Sequence, residues 1–93
     1  MAGDEQYRDK LAALGAEIRA RRESLGLSIE QVTAETKIRA KYLKAVEDGD
    51  DSAAPAPTYF RAFMKTYANF LGLDGIKYSL AYQEILDERS AAQ

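Results

Sequence analysis

Leu11, Leu14, Ile18 and Leu25 stand three, four and seven positions apart. That spacing lines one face of a helix, while Arg19, Arg21, Arg22 and Glu23 mostly face away. Gly15 weakens the first turns of this element, so residues 1–13 are expected to be a flexible or frayed N-terminal extension. Gly26, between Leu25 and Leu27, supplies a left-handed stop. Ser28 then opens a capping box with Gln31 three residues on, and Ile29 and Val32 give a short second helix its apolar side as far as Thr36. Lys37-Ile38 turns the chain, with Ile38 as a plug between helices. A third helix is expected from about Arg39 to Asp48, burying Leu43, Val46 and part of Tyr42, exposing Arg39, Lys41 and Lys44, and stopping at Gly49.

The stretch Asp50 to Pro57 is acidic, then rich in Ala, and is broken by Pro55 and Pro57, which marks a loop. Thr58 is a candidate cap for a fourth helix from Tyr59 to Leu71, closed by Gly72. Asp74 can cap a fifth from about Gly75 to Arg89, with Ile76, Leu80, Ile85 and Leu86 on its apolar side. Residues 90–93 are expected to be a linker or the end of the ordered chain. No strand-like alternation appears. The fold class is therefore all-α, a compact five-helix domain over residues 14–89 centred on Ile18, Val32, Ile38, Leu43, Val46 and Leu71.

The fourth segment holds Tyr59, Phe60, Phe63, Tyr67 and Phe70, five of the nine rings in a chain with six Tyr and three Phe. At about 100° per residue these rings, with Met64 and Leu71, fill an arc of roughly 140°, and Arg61, Lys65 and Asn69 lie opposite. A chain of 93 residues has room for one modest core, because folding at this size buries only about 60 to 65% of the unfolded surface. Five rings of about 150 to 250 Å² each strain that capacity, so part of the arc is expected to be an exposed patch of the kind that anchors a protein partner.

Composition narrows the chemistry. With no Cys and no His, zinc centres, thiol catalysis and Ser/His triads are excluded. No carboxylate pair or nucleophile stands beside a base, so the chain is expected not to be an enzyme and to need no cofactor or metal. The acids from Glu47 to Asp51 lack the spacing of a calcium loop and are expected to be solvated. No apolar run approaches the roughly 18 residues of a membrane span, and Met1 to Lys10 is too polar for a signal peptide, so the chain is expected to be soluble. The net charge of −2 hides an asymmetry: residues 17–46 carry seven Lys or Arg against four acids, and residues 47–93 carry four against eight. The positive field belongs to the first helices.

The run S-I-E-Q-V-T-A-E-T-K-I-R-A-K-Y-L-K-A-V-E-D-G, Ser28 to Gly49, resembles the helix-turn-helix of the phage-repressor-like family. That resemblance implies a DNA-facing set of Lys37, Arg39, Lys41 and Lys44 on and before the third helix. Two features depart from the pattern. Ile29 stands where repressors commonly hold a phosphate with Gln, and the third helix has no Asn or Gln and ends among Glu47, Asp48, Asp50 and Asp51, which repel phosphate. A narrower resemblance is carried by T-K-I-R-A-K-Y-L-K-A-V-E-D-G-D (Thr36 to Asp50) and P-T-Y-F-R-A-F-M-K-T-Y-A-N-F-L-G-L-D (Pro57 to Asp74). Together they are similar to the cytoplasmic domain of the RodZ family of bacterial rod-shape proteins, over about residues 14–86. Ala62 departs from that family, which usually has Gly there.

The RodZ resemblance implies a binding module at the cytoplasmic face of the bacterial inner membrane, part of a longer single-pass protein whose span lies outside this chain. It would hold the actin-like filament protein MreB and serve cell-shape control and cell-wall synthesis. The contacts it implies are Phe63 and Tyr67, with Tyr59 and Phe60 from the first turn of the fourth helix and Arg39 at the edge. The alternative is a DNA-binding regulator using Lys37, Arg39, Lys41 and Lys44.

Overall fold

A computed structural model describes residues 2–92, with side chains described from Glu5 to Ala91. Five α-helices, α1 (Ala2–Ser24), α2 (Ile29–Thr36), α3 (Ala40–Asp48), α4 (Pro57–Phe70) and α5 (Gly75–Ala92), are joined by short turns and one 3-10 turn at Asp51–Ala53. No strand occurs among the described residues. The all-α class and the helix-turn-helix are as the hydrophobic pattern implies. The six residues expected at the centre of the core are all buried, Ile18, Val32, Leu43 and Val46 completely.

The capping signals translate into bonds. The Gln31 amide donates to Ser28 Oγ at 3.1 Å and the Ser28 amide to Gln31 Oε1 at 2.7 Å, so both halves of the capping box are made. Lys37 closes α2 in the left-handed region at φ 64°, its amide donating to the Thr33 carbonyl. The turn that follows delivers Ile38 into the core and leaves Arg39 as the N-cap of α3. Asp74 caps α5 through the Lys77 amide at 3.2 Å. Thr58 does not cap α4. That helix starts two residues earlier than expected, with Pro57 at its first position, where the missing N–H costs nothing because it would have no helical partner.

Three expectations about the ends and faces of helices are corrected. The segment expected to fray is continuous helix from Ala2, and it buries Tyr7 and Leu11. The residue thought to weaken it, Gly15, is where α1 crosses the end of α3: a Cβ there would lie 2.3 Å from the Val46 carbonyl oxygen and 2.4 Å from that of Glu47. Residues 90–92 continue α5, not a linker. The buried side of α5 differs in its first half: Ile85 is buried and Leu86 packs on the core as expected, but Ile76 and Leu80 are 57% and 59% exposed, and Tyr78 and Tyr82 face inward instead. Both sets have helical spacing. The tyrosine set prevails because it buries larger rings and gives each hydroxyl a carboxylate: Tyr78 donates to Glu17 at 3.0 Å and Tyr82 to Asp51 at 2.8 Å.

The helices pack so that α5 lies along α4 and α1, and α1 also crosses α3. The outer edge of α4 comes to lie beside α3, the arrangement on which the surface described next depends.

Candidate protein-binding surface

The aromatic arc of α4 divides between core and surface. Phe60, Met64, Tyr67 and Leu71 point inward and are essentially inaccessible. Tyr59, Phe63 and Phe70, at positions i, i+4 and i+11, form a stripe centred about 90° around the helix from the inward set. Tyr59 is 56% exposed and Phe70 39% exposed, and Phe63 is half-buried. Two of the rings expected as partner contacts are thus corrected to core. Phe60 packs its ring on Tyr82 with centroids 5.0 Å apart, and Tyr67 donates its hydroxyl to the carboxylate of Glu47. Packing decides the split: the inward set has α2, α3 and α5 against it, and the stripe reaches past them.

What completes the exposed stripe is Tyr42 of α3. Its ring stacks on Phe63 with centroids 4.8 Å apart and planes 18° from parallel, and Tyr59 approaches the other edge of Phe63 at 6.5 Å. Lys41 sets its ammonium group 5.0 Å from the Tyr42 centroid, within cation–π range. Lys37, Arg39, Lys41 and Lys44 are all exposed. The residues set aside for a protein partner and those set aside for DNA therefore belong to adjoining parts of α3 and α4. Nothing in the sequence marks Tyr42 as a contact residue. A half-buried ring is expected at the start of the third helix, but the pairing with Phe63 is tertiary and has no local pattern.

Beneath this surface lies a buried ionic network. Arg22 reaches from α1 and donates to Glu47 through Nε at 2.7 Å and Nη2 at 3.2 Å, while its Nη1 donates to the Leu27 carbonyl at 2.8 Å. The side chains are 13% and 6% exposed, so the pair is shielded from water. With Tyr67 as a third member, the network ties α1, the turn before α2, α3 and α4 together. Glu47 was expected to be a solvated acid, and so was Asp51. Both are corrected: Asp51 accepts hydrogen bonds from Tyr7 and Tyr82 and so joins α1 to α5. Of the other acids in this run, Asp48 and Asp50 are exposed. Among the described residues, no three carboxylates converge into a metal site.

These contacts hold the phenols in their protonated form. Burial, reinforced by the hydrogen-bonded carboxylate of Glu47, pushes Tyr67 well above the ordinary phenol value of 10.0, and burial with Asp51 does the same to Tyr82. Tyr7 and Tyr78 are raised in the same way, by burial and then by Asp51 and Glu17. The Arg22 guanidinium is raised by its hydrogen bond to Glu47. Above about pH 10 the unfolded chain loses its phenolic protons and the native one retains them, so stability that is complete below that pH falls as it rises toward the native values. Thermal melts by circular dichroism should be flat from pH 8 to about 9.5 and decline beyond it. In Tyr67→Phe the decline should be shallower, and equal slopes would remove Tyr67 from the account.

Residues 17–77 match the helix-turn-helix domain family. Over 61 residues, 66% of this chain and 22% of the relative, the sequence is 36% identical to the cytoskeleton protein RodZ of Streptococcus pneumoniae. Over 48 residues, 52% of this chain and 17% of the relative, it is 44% identical to the uncharacterized membrane protein YmfM of Bacillus subtilis. The chain thus matches about a fifth of the length of these curated relatives. A helix-turn-helix-containing hypothetical protein from Chlamydia trachomatis, crystallised in a sub-domain swap conformation, is similar in structure with a TM-score of 0.56 and 33% identity, covering 98% of this chain and 87% of that one. Among the described residues no helix is long and apolar enough to cross a membrane.

Proposed function

This chain belongs to the helix-turn-helix domain family and is a RodZ-like member of it, and from that premise we propose that it is a non-enzymatic, cytoskeleton-associated binding module. Its partner is the actin-like filament protein MreB, and it works at the cytoplasmic face of the bacterial inner membrane as one part of a longer protein that carries the membrane span. The observation that carries this reading is the ring pair on α4, the exposed Tyr59 against the half-buried Phe63, held on a rigid helix beside α3, whose N-cap Arg39 is exposed. Large rings fixed in place lose little conformational freedom on binding, which is why such groups dominate protein interfaces. Phe60 and Tyr67 support the surface from below and make no contact of their own. The membrane relative YmfM and the cytoskeleton relative RodZ agree with a module carried by a larger membrane-bound protein.

Rings buried at an interface set its lifetime, and rim charges chiefly alter association rate and salt sensitivity. Phe63→Ala should therefore cost about 2 kcal/mol or more of filament binding, and Arg39→Ala about 1 kcal/mol or less. Co-sedimentation with MreB filaments, beside a thermal melt of each variant, measures this. A folded Phe63→Ala variant that pellets like the parent would refute the reading. So would selection of one duplex DNA sequence at nanomolar affinity, because the acids after α3 and Ile29 at the phosphate-holding position oppose tight DNA binding.

A further inference from the structure

Resting on that reading, we propose that the docking surface spans two helices, with Tyr42 of α3 a contact residue of the same rank as Phe63, and that its basic border selects an acidic protein surface. Tyr42 and Phe63 form one slab: the rings are nearly parallel at 4.8 Å, so each limits the motion of the other, and both are half-buried, leaving part of each accessible. Tyr59 extends the slab along α4. An anchor of this shape fits a shallow apolar depression, not the polar edges of bases in a DNA groove.

Charge supplies the second half of the argument. Lys41 lies over the Tyr42 ring, and Lys44 follows it at i+3 on the exposed side of α3. With the exposed Lys37 and Arg39 of the preceding turn, these make four cations on the α3 flank of the surface. The nearby acids do not cancel them uniformly, because Glu47 is turned inward to Arg22 and Asp51 to Tyr7 and Tyr82. A partner that covers the rings must meet this flank, and one with Asp and Glu around its depression does so without burying like charges. The structure therefore gives α3, the element that in a DNA reader would enter the major groove, a protein-facing role.

The test measures filament binding for Phe63→Ala, Tyr42→Ala, Tyr42→Phe and Lys41→Glu, with a thermal melt of each. Tyr42→Ala should weaken binding about tenfold or more, and Tyr42→Phe, which keeps the stack, should stay within about threefold of the parent. Lys41→Glu should weaken binding several-fold at low salt and flatten its salt dependence. If Phe63→Ala impairs binding while folded Tyr42→Ala and Lys41→Glu do not, the surface is confined to α4 and this inference fails alone. If Phe63→Ala is also without effect, the underlying reading fails with it. Should Tyr42→Ala unfold, Lys41→Glu decides: parent-like binding at low salt overturns the acidic-partner assignment. Loss of binding to random duplex with filament binding intact would assign the cations to DNA, and also overturns it.

Discussion

Arg22→Ala is expected to cost about 3 to 5 kcal/mol of stability, although Arg22 lies in a stretch of α1 that is otherwise rich in solvated charge. The substitution would leave the Glu47 carboxylate buried without its cation, and an uncompensated buried charge is far costlier than the net worth of the pair. It would also release the Leu27 carbonyl, which accepts from Arg22 Nη1 at 2.8 Å. Against a total of about 5 to 15 kcal/mol for a domain of ordinary stability, such a loss is a large fraction. Arg22→Ala with Glu47→Leu should recover part of it, because an apolar replacement removes the desolvation penalty together with the pair. Urea melts of the parent, the single variant and the double variant measure both effects. A single variant within about 0.5 kcal/mol of the parent would mean that Glu47 is rehydrated, and that the network does not organise the four elements it touches. The same geometry governs Tyr67. Tyr67→Ala is expected to fail to bind because the fold is lost, and only Tyr67→Phe separates the hydroxyl from the ring.

The parts of this molecule legible in its sequence are those set by local physics. The capping box at Ser28, the left-handed glycine at Gly49, the proline-broken loop before α4 and the periodic positions Ile18, Val32, Leu43 and Val46 each follow from neighbours a few residues away. The errors have one origin, a choice between alternatives of equal local merit that tertiary packing settles. On α5, Ile76 with Leu80 and Tyr78 with Tyr82 are equally well spaced, and the distant carboxylates of Glu17 and Asp51 favour the tyrosines. On α4, the arc was correctly placed, but the boundary between core and surface falls between Phe63 and Tyr67, which differ by only about 40° around the helix. Glu47 and Arg22 each read as surface charges because nothing local marks them as partners 25 residues apart. The candidate surface was half legible for the same reason: its α4 edge is a periodic pattern, whereas its α3 half exists only through the stacking of Tyr42 on Phe63.

Gly15→Ala is expected to be among the most damaging single-methyl additions in the chain. On propensity alone the change should stabilise α1 by about 1 kcal/mol, since alanine is the better helix former. Packing reverses the sign. The new methyl would sit 2.3 Å from the Val46 carbonyl oxygen and 2.4 Å from the Glu47 carbonyl oxygen, and these are backbone atoms near the end of α3 that cannot rotate out of the way as a side chain could. Relief requires α1 to lift from α3, and such a shift would pull Arg22 from Glu47 and open the layer above Val46. Overpacking costs about 1 to 3 kcal/mol when side chains can adjust, so the outcome here should be a loss at or above the top of that range, or no cooperative folding at all. Gly15→Ala at the parent's urea midpoint or above would show that α1 crosses α3 with more room than the structure has. The contrast with Ala62 sharpens the test, because that methyl stands exposed on α4. Ala62→Gly should lose only the helix propensity, about 1 kcal/mol. Two exchanges of the same pair of residues, one at a helix crossing and one on an open face, should thus both destabilise, the crossing through a clash and the open face through backbone entropy.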